Sequence, residues 1–260
     1  MAFDINNFII DRPIRAIMSS SDTGDVLWSI NQIEDPSISC ASEATQAVDM
    51  LGSPIMEFER AKTATFSATN SLFDLGLAAA QFGTTKKVAN ASNKVTAPKF
   101  ETLDVDGTTV TLSQTPTADI TAIYVLKGDN TLGTKYVAGA TASATEFVYD
   151  DVTKTITLPT SVTSGKVFVK YEYETENAVE VVNTAVNFPT AGQLVVEVLG
   201  CDVCNKSVLY YAYLIFPAAK LSSSVDLTFT TEGKHPFEIS CFQDYCDYEK
   251  RLFSIVIPQA

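Results

Sequence analysis

The sequence predicts a mainly β protein with one short α-helix and a small antiparallel β unit in the middle of the chain. Three observations carry this. Apolar and polar residues alternate with period 2 in short runs along most of the chain, turn residues separate those runs at close intervals, and a single stretch combines helical spacing with a cap.

Val26, Trp28 and Ile30 alternate with Leu27, Ser29 and Asn31 before Asp35-Pro36 turns the chain into Ser37-Ile38-Ser39-Cys40, which gives two strands. The polar, Gly-containing stretch from Ala41 to Pro54 reads as the tip of a long hairpin. On its return limb Met56, Phe58 and Arg60 share one face and Ile55, Glu57 and Glu59 the other. From Lys62 to Thr69 the alternation is cleanest: Ala64, Phe66 and Ala68 face one way and Thr63, Thr65, Ser67 and Thr69 the other, as in a half-buried strand.

The helix is predicted from Leu72 to Gly83. Ser71-Leu72-Phe73-Asp74 has capping-box form, Leu72, Leu75, Ala79 and Phe82 recur at spacings of 3, 4 and 3, and Gly83 can adopt the left-handed conformation that ends a helix. Residues 84 to 98 turn small, polar and basic and read as a linker. Strands then follow at Thr108 to Leu112, Ala122 to Leu126, Glu146 to Tyr149, Thr155 to Leu158 and Val167 to Thr175, separated by Asp106-Gly107, Gly128-Asp129, Asp150-Asp151 and Ser164-Gly165. Gln193 to Leu199, Val208 to Ile215, Val225 to Thr231 and Leu252 to Ile257 supply the last strands, with Phe188-Pro189, Phe216-Pro217 and Glu232-Gly233 as punctuation.

With 260 residues the chain is long enough to bury a core without staples. Eighteen Lys and Arg against 31 Asp and Glu leave a net charge of −13, the opposite of a protein that grips phosphate by charge. Apolar content of 46% with 19% charged residues is too rich for a disordered chain, and no apolar run approaches the ~20 residues of a membrane-spanning helix. The chain reads as soluble and globular. Met1-Ala2-Phe3-Asp4-Ile5 lacks the pattern of a secretory signal, which predicts synthesis in the cytoplasm. There the five cysteines are expected as free thiols.

Several short motifs bear on chemistry. Asp22-Thr23-Gly24 matches the tripeptide of aspartic proteases, but it lies in a Ser-rich stretch without a second copy and reads as a solvated turn. Cys201 and Cys204 with Cys241 and Cys246 could supply four sulfur ligands to zinc; the second spacing is looser than a metal knuckle, and inert thiols are the plainer reading. His235, the sole histidine, stands between Gly233 and Pro236 as a turn residue would. Asp104-Val105-Asp106-Gly107 begins like a calcium loop but lacks its later ligands. No metal, cofactor or catalytic assignment follows. Glu172, Glu174 and Glu176 form an acidic stripe opposite Tyr171, Tyr173 and Thr175, either a wet strand face or a surface turned toward a negatively charged polymer.

From Asp22 to Gly83 the chain resembles the major tail tube proteins of tailed bacteriophages. The resemblance lies in Gly24-Asp25-Val26-Leu27-Trp28, in Gln32-Ile33-Glu34-Asp35-Pro36-Ser37-Ile38, in the long polar hairpin, in Phe58-Glu59-Arg60-Ala61-Lys62-Thr63-Ala64-Thr65-Phe66, and in the helix after it. It returns in Tyr210-Tyr211-Ala212-Tyr213-Leu214-Ile215-Phe216-Pro217, in Glu232-Gly233-Lys234-His235-Pro236-Phe237 and in Leu252-Phe253-Ser254-Ile255-Val256-Ile257-Pro258. The middle of the chain departs from it.

The resemblance implies a two-sheet antiparallel sandwich or barrel with one short flanking α-helix, built from residues 1–98 and 178–260, with an additional inserted small β domain at 99–177. It implies a structural, non-enzymatic virion protein without cofactors. Six copies would close a ring, and rings would stack into a tail conduit through which double-stranded DNA passes without specific binding. Partners implied are further copies of the chain and the tape measure, baseplate and sheath proteins. The hairpin from Cys40 to Arg60 would reach a neighbouring subunit, with Asp49, Gly52, Glu57 and Arg60 as contact residues. The alternative is an adhesin-like or carbohydrate-binding module stacking sugars on Tyr124, Tyr136, Tyr149, Tyr171 or Tyr173, residues that also serve as core or cross-strand pairs in β proteins. The acidic balance suits the conduit, because duplex DNA carries about one negative charge per 1.7 Å and an anionic wall repels it.

Overall fold

The structure, a computed structural model of the chain, describes residues 5–231, 233–245 and 248–259. In chain order the first elements are β1 (Phe8–Ser20), β2 (Val26–Ile30), β3 (Ile33–Val48), β4 (Pro54–Asn70) and the helix α1 (Leu75–Gln81). A run of shorter strands follows: β5 (Lys87–Val88), β6 (Val95–Asp104), β7 (Thr109–Thr111), β8 (Ala122–Leu126), β9 (Leu132–Ala138), β10 (Glu146–Asp150), β11 (Thr155–Thr157), β12 (Lys166–Thr175) and β13 (Val179–Glu180). The chain ends with β14 (Ala191–Asp202), β15 (Asn205–Leu221), β16 (His235–Phe242) and β17 (Ser254–Val256). The fold is mainly β with a single short helix among the described residues. Contacts divide it into two compact units, Met1–Lys86 with Val181–Ala260, and Lys87–Glu180.

In the larger unit one antiparallel sheet runs β2-β1-β14-β15-β16-β4-β3, with β17 beside β15. Its two terminal strands are consecutive in the chain, joined only by Asn31-Gln32, so the sheet must curl until its ends approach each other. It takes the form of a curled half-barrel rather than a flat sheet. Residues far apart in strand order therefore meet inside it. The Trp28 ring lies edge-on to Phe237 at 5.8 Å, and Phe66 packs against both Phe216 and Phe237. Ala64, Phe66 and Ala68 are buried while Thr63, Thr65, Ser67 and Thr69 are not, as the alternation predicts.

Two prolines, Pro217 and Pro13, stand where the ladder is already broken. Pro217 lies inside β15 rather than ending a strand, at an irregularity where Leu194 pairs with Phe216 but Gly192 pairs with Ala219. A bulge leaves a backbone position unpaired, so the missing proline N–H removes no ladder bond. Pro13 likewise stands beside a register shift in β1, a strand that the interrupted alternation of Asp11-Arg12-Pro13 hid from sequence reading.

The helix departs from expectation at its start. Asp74, not Ser71, is the N-cap, and its Oδ1 accepts from the Leu77 N–H at 2.7 Å. Ser71 instead bonds back to the Gln32 carbonyl, and the Leu72 carbonyl accepts from the Asn70 side chain, so the backbone groups of the expected first turn are used elsewhere. The buried face is accordingly Leu77, Ala78, Ala79 and Gln81, while Leu72 and Leu75 are exposed. Gly83 ends the helix in the left-handed conformation; a Cβ there would lie 2.3 Å from the Phe188 carbonyl oxygen.

In the smaller unit seven strands run β6-β12-β8-β9-β10-β11-β7, antiparallel except for β9 with β10. They close over Ile123, Phe147, Ile156, Val167 and Val169. Strands β5 and β13, where the chain enters and leaves this unit, pair with each other, and Lys87 Nζ lies 3.6 Å from Glu180. Residues 84 to 98, read as a linker, thus contain β5 and the start of β6. Val225 to Thr231 forms no strand, because β15 pairs directly with β16 and leaves this run outside the ladder.

Candidate functional site

The longest exposed feature of the larger unit is the β3–β4 hairpin. Its pairing continues from Ile33↔Asn70 to Val48↔Pro54, so the tip is only 49–53, far shorter than the stretch read as loop. Beyond Cys40 and Thr63 every residue of both limbs is exposed. Eight residues, Ala41 to Val48, carry the tip about 27 Å outward at roughly 3.4 Å per residue. It is an arm.

A bulge at the root of this arm decides which side chains share a face. Ser42 pairs with Lys62 but Glu43 pairs with Arg60, leaving Ala61 unpaired at φ 45°. Strict alternation would put Met56, Phe58 and Arg60 on the face of Ala64 and Phe66; the extra residue moves them to the opposite face. There Phe58 stands across from Thr45 and Met56 across from Ala47. Glu57 and Glu59 occupy the core-side face, where Glu57 Oε2 accepts from the Gln46 amide at 2.9 Å. The arm is therefore amphipathic, with one apolar and one acidic face.

The four residues expected at contacts all lie on this arm and are exposed. Asp49 and Gly52 build its tip: Asp49 Oδ1 accepts from the Leu51 and Ser53 N–H groups at 2.9 and 2.8 Å, and Gly52 holds φ 83°. Arg60 stands opposite Glu43 at the bulge. Sequence reasoning put Met56 (57% exposed) and Phe58 (47%) on one face with Arg60 but named neither of them, nor Met50 (98%) or Leu51 (87%), as a contact. The available signal was a set of large apolar residues within a hairpin otherwise composed to be solvated.

Below the arm the same outer face of β3, β4 and β16 is made of short hydroxyls. Ser39 pairs with Thr65, Ser37 Oγ lies 2.8 Å from Ser67 Oγ, and Ser240 follows in register. Glu34 and Glu238 add negative charge, the former bonded to Lys234.

One family profile matches residues 8–254, nearly the whole chain: that of the YomU/Tube protein family. The chain belongs to the YomU/Tube family. No curated protein matches it.

The remaining sequence candidates of this YomU/Tube chain fall into structural places. His235 is fully buried, Asp74 N–H donates to its Nδ1 at 3.3 Å, and its Nε2 therefore carries the proton given to Gln81 Oε1 at 2.7 Å. Burial holds its pKa below the ordinary histidine value, against the pull of the Asp74 carboxylate. It clamps α1 to β16. Asp22 and Thr23 form the exposed β1–β2 turn, closed by Ser20 Oγ. Asp104 to Gly107 is the turn after β6, with Gly107 at φ 95°.

Cys201 pairs with Leu209 and Cys241 with Ala219, ten positions apart along β15, or about 33 Å of strand. That separation rules out a shared metal for Cys201, Cys204 and Cys241; Cys246 lies outside the described residues, as do Glu232 and Met1 to Asp4. Burial pushes the Cys241 thiol up to about 11. Glu172 and Glu174 are exposed on β12, but Glu176 lies past the strand end, 3.6 Å from Lys94 Nζ, so the stripe is two acids long. Tyr171 is buried and donates to Glu101 at 3.0 Å, and Tyr136, Tyr149 and Tyr173 pack against the small unit's core. Tyr124 is half-buried on β8.

Proposed function

We propose that the chain is the subunit of a phage tail tube: a structural, non-catalytic protein whose copies close sixfold rings that stack into a conduit for double-stranded DNA. Membership of the YomU/Tube family supports the coarse reading. The observation that carries the finer one is strand β3. Among the described residues it pairs with β4 on one side only, offers a free edge 16 residues long, and continues into an arm with an exposed apolar face. An unpaired edge of that length is a template for another chain, and apolar side chains held that far from the body are ordinarily covered by a partner. A curled sheet extended edge to edge around an axis closes as a barrel does.

The hydroxyl face of β3, β4 and β16 suits the wall of such a bore. Between Glu34 and Ala41, Thr63 and Thr69, and Pro236 and Phe242, the charged residues are Glu34, Asp35 and Glu238, all acidic, and the neighbouring Lys234 is already bonded to Glu34, so phosphates meet little cationic hold. In this reading Glu172 and Glu174 add to the anionic surface, and the ends of the stack meet tape measure, baseplate and sheath proteins in a virion tail. Negative-stain microscopy of the concentrated chain tests the proposal: hollow tubes of uniform diameter are expected, and a protein that stays monomeric at every concentration and salt condition refutes it.

A further inference from the structure

We propose that the arm tip of one copy seats in a cavity beside α1 of the next copy, with Met50 and Leu51 entering it and Asp49 facing Lys86. The inference rests on the tube reading and names the surface each arm grips. The cavity, about 420 Å³, has apolar walls from Met18, Trp28, Ala79 and Leu221 and a polar rim that includes Thr85 and Lys86. Pockets of about 300–1,000 Å³ hold whole small ligands, so both tip side chains fit together.

Three features select this occupant. Met50 and Leu51 are the most exposed apolar pair on the arm, held outward by the Asp49 turn. The charges match: the tip brings Asp49, with Glu57 behind it, while Lys86 is exposed and makes no ion pair among the described residues. The indole N–H of Trp28 is buried without an acceptor among the described residues, and a carbonyl of a seated tip supplies one. Because its two limbs stay paired from Ala41 and Thr63 out to Val48 and Pro54, the arm holds its tip outward rather than folding it back into its own cavity. The contact is head-to-tail, so each copy both gives and receives, and copies add without closing as a pair.

Trp28 is the sole tryptophan, so its emission reports on the cavity. Wild type and Met50→Ser/Leu51→Ser are compared across a concentration series by sedimentation and tryptophan emission, with melting curves as the folding control. The wild type is expected to assemble with a shift in emission. The double variant is expected to melt like wild type, require at least tenfold more protein to assemble, and show no shift; Lys86→Glu weakens assembly severalfold. Assembly of the double variant at wild-type concentration, or wild-type assembly without a change in Trp28 emission, overturns the inference and leaves the tube reading standing. A wild type that never assembles removes both.

Discussion

Replacing Met56 and Phe58 together by serine separates what the arm does for the subunit from what it does for the assembly. Fully burying a Met or Phe side chain stabilises by about 1.5–3 kcal/mol. Met56 is 57% and Phe58 47% exposed in the isolated chain, so about half of each side chain is left to be covered by a neighbour. That leaves about 0.75–1.5 kcal/mol per residue and about 1.5–3 kcal/mol per arm, which raises the concentration needed for assembly by about 10- to 150-fold. The isolated subunit should scarcely notice, since exposed substitutions away from the core change stability by about 0.5 kcal/mol at most. Sedimentation velocity across a dilution series gives the assembly threshold and thermal unfolding the subunit stability. An unchanged threshold would refute the assignment of the Met56–Phe58 face as an interface. A drop of several degrees in the melting temperature would show that this face already belongs to the monomer's packing.

Phe66→Ala should destabilise the larger unit by about 3–5 kcal/mol, because Phe66 is fully buried between Phe216 and Phe237, and equilibrium unfolding in denaturant reads this directly. Burial keeps His235 neutral in the folded chain with a lowered pKa, so below the ordinary value of about 6.5 the unfolded chain binds the extra proton. Its contribution is fully present above that pH. As pH falls toward the folded pKa it is lost at up to about 1.4 kcal/mol per unit, a slope that should be absent from the unfolding curve of His235→Phe. Ala61→Val should be less stable than Ala61→Gly by about 1–3 kcal/mol by thermal unfolding, since the bulge holds this position at φ 45°, a conformation that a β-branched residue resists.

Much of the strand pattern was legible because the period-2 alternation is a local signal. Ala64, Phe66 and Ala68 face the core as read, and β8 begins and ends at the residues expected. What stayed hidden was non-local. Whether Ser71 or Asp74 caps α1 depends on Gln32, about forty positions earlier, taking the Ser71 bonds. His235 reads as a turn residue until Gln81 and Asp74 are seen to embrace it from the helix. The arm illustrates both cases: its existence follows from composition, but its faces depend on one unpaired alanine that reverses the alternation between Lys62 and Arg60. The contact residues drawn from resemblance were the charged and turn-forming ones; Met56 and Phe58 read as one face of the return limb, but which face it is depends on the bulge, and the exposure of Met50 and Leu51 depends on the tip turn.

Cryo-electron microscopy of the assembled chain, at a resolution that separates strands, tests the central claim most directly. The account predicts sixfold rings in which the free edge of β3 hydrogen-bonds to the backbone of the adjacent copy, around a bore lined by hydroxyl and carboxylate groups. A map in which β3 keeps a solvent-facing edge in every copy, or in which the bore is ringed by lysine and arginine, would contradict it.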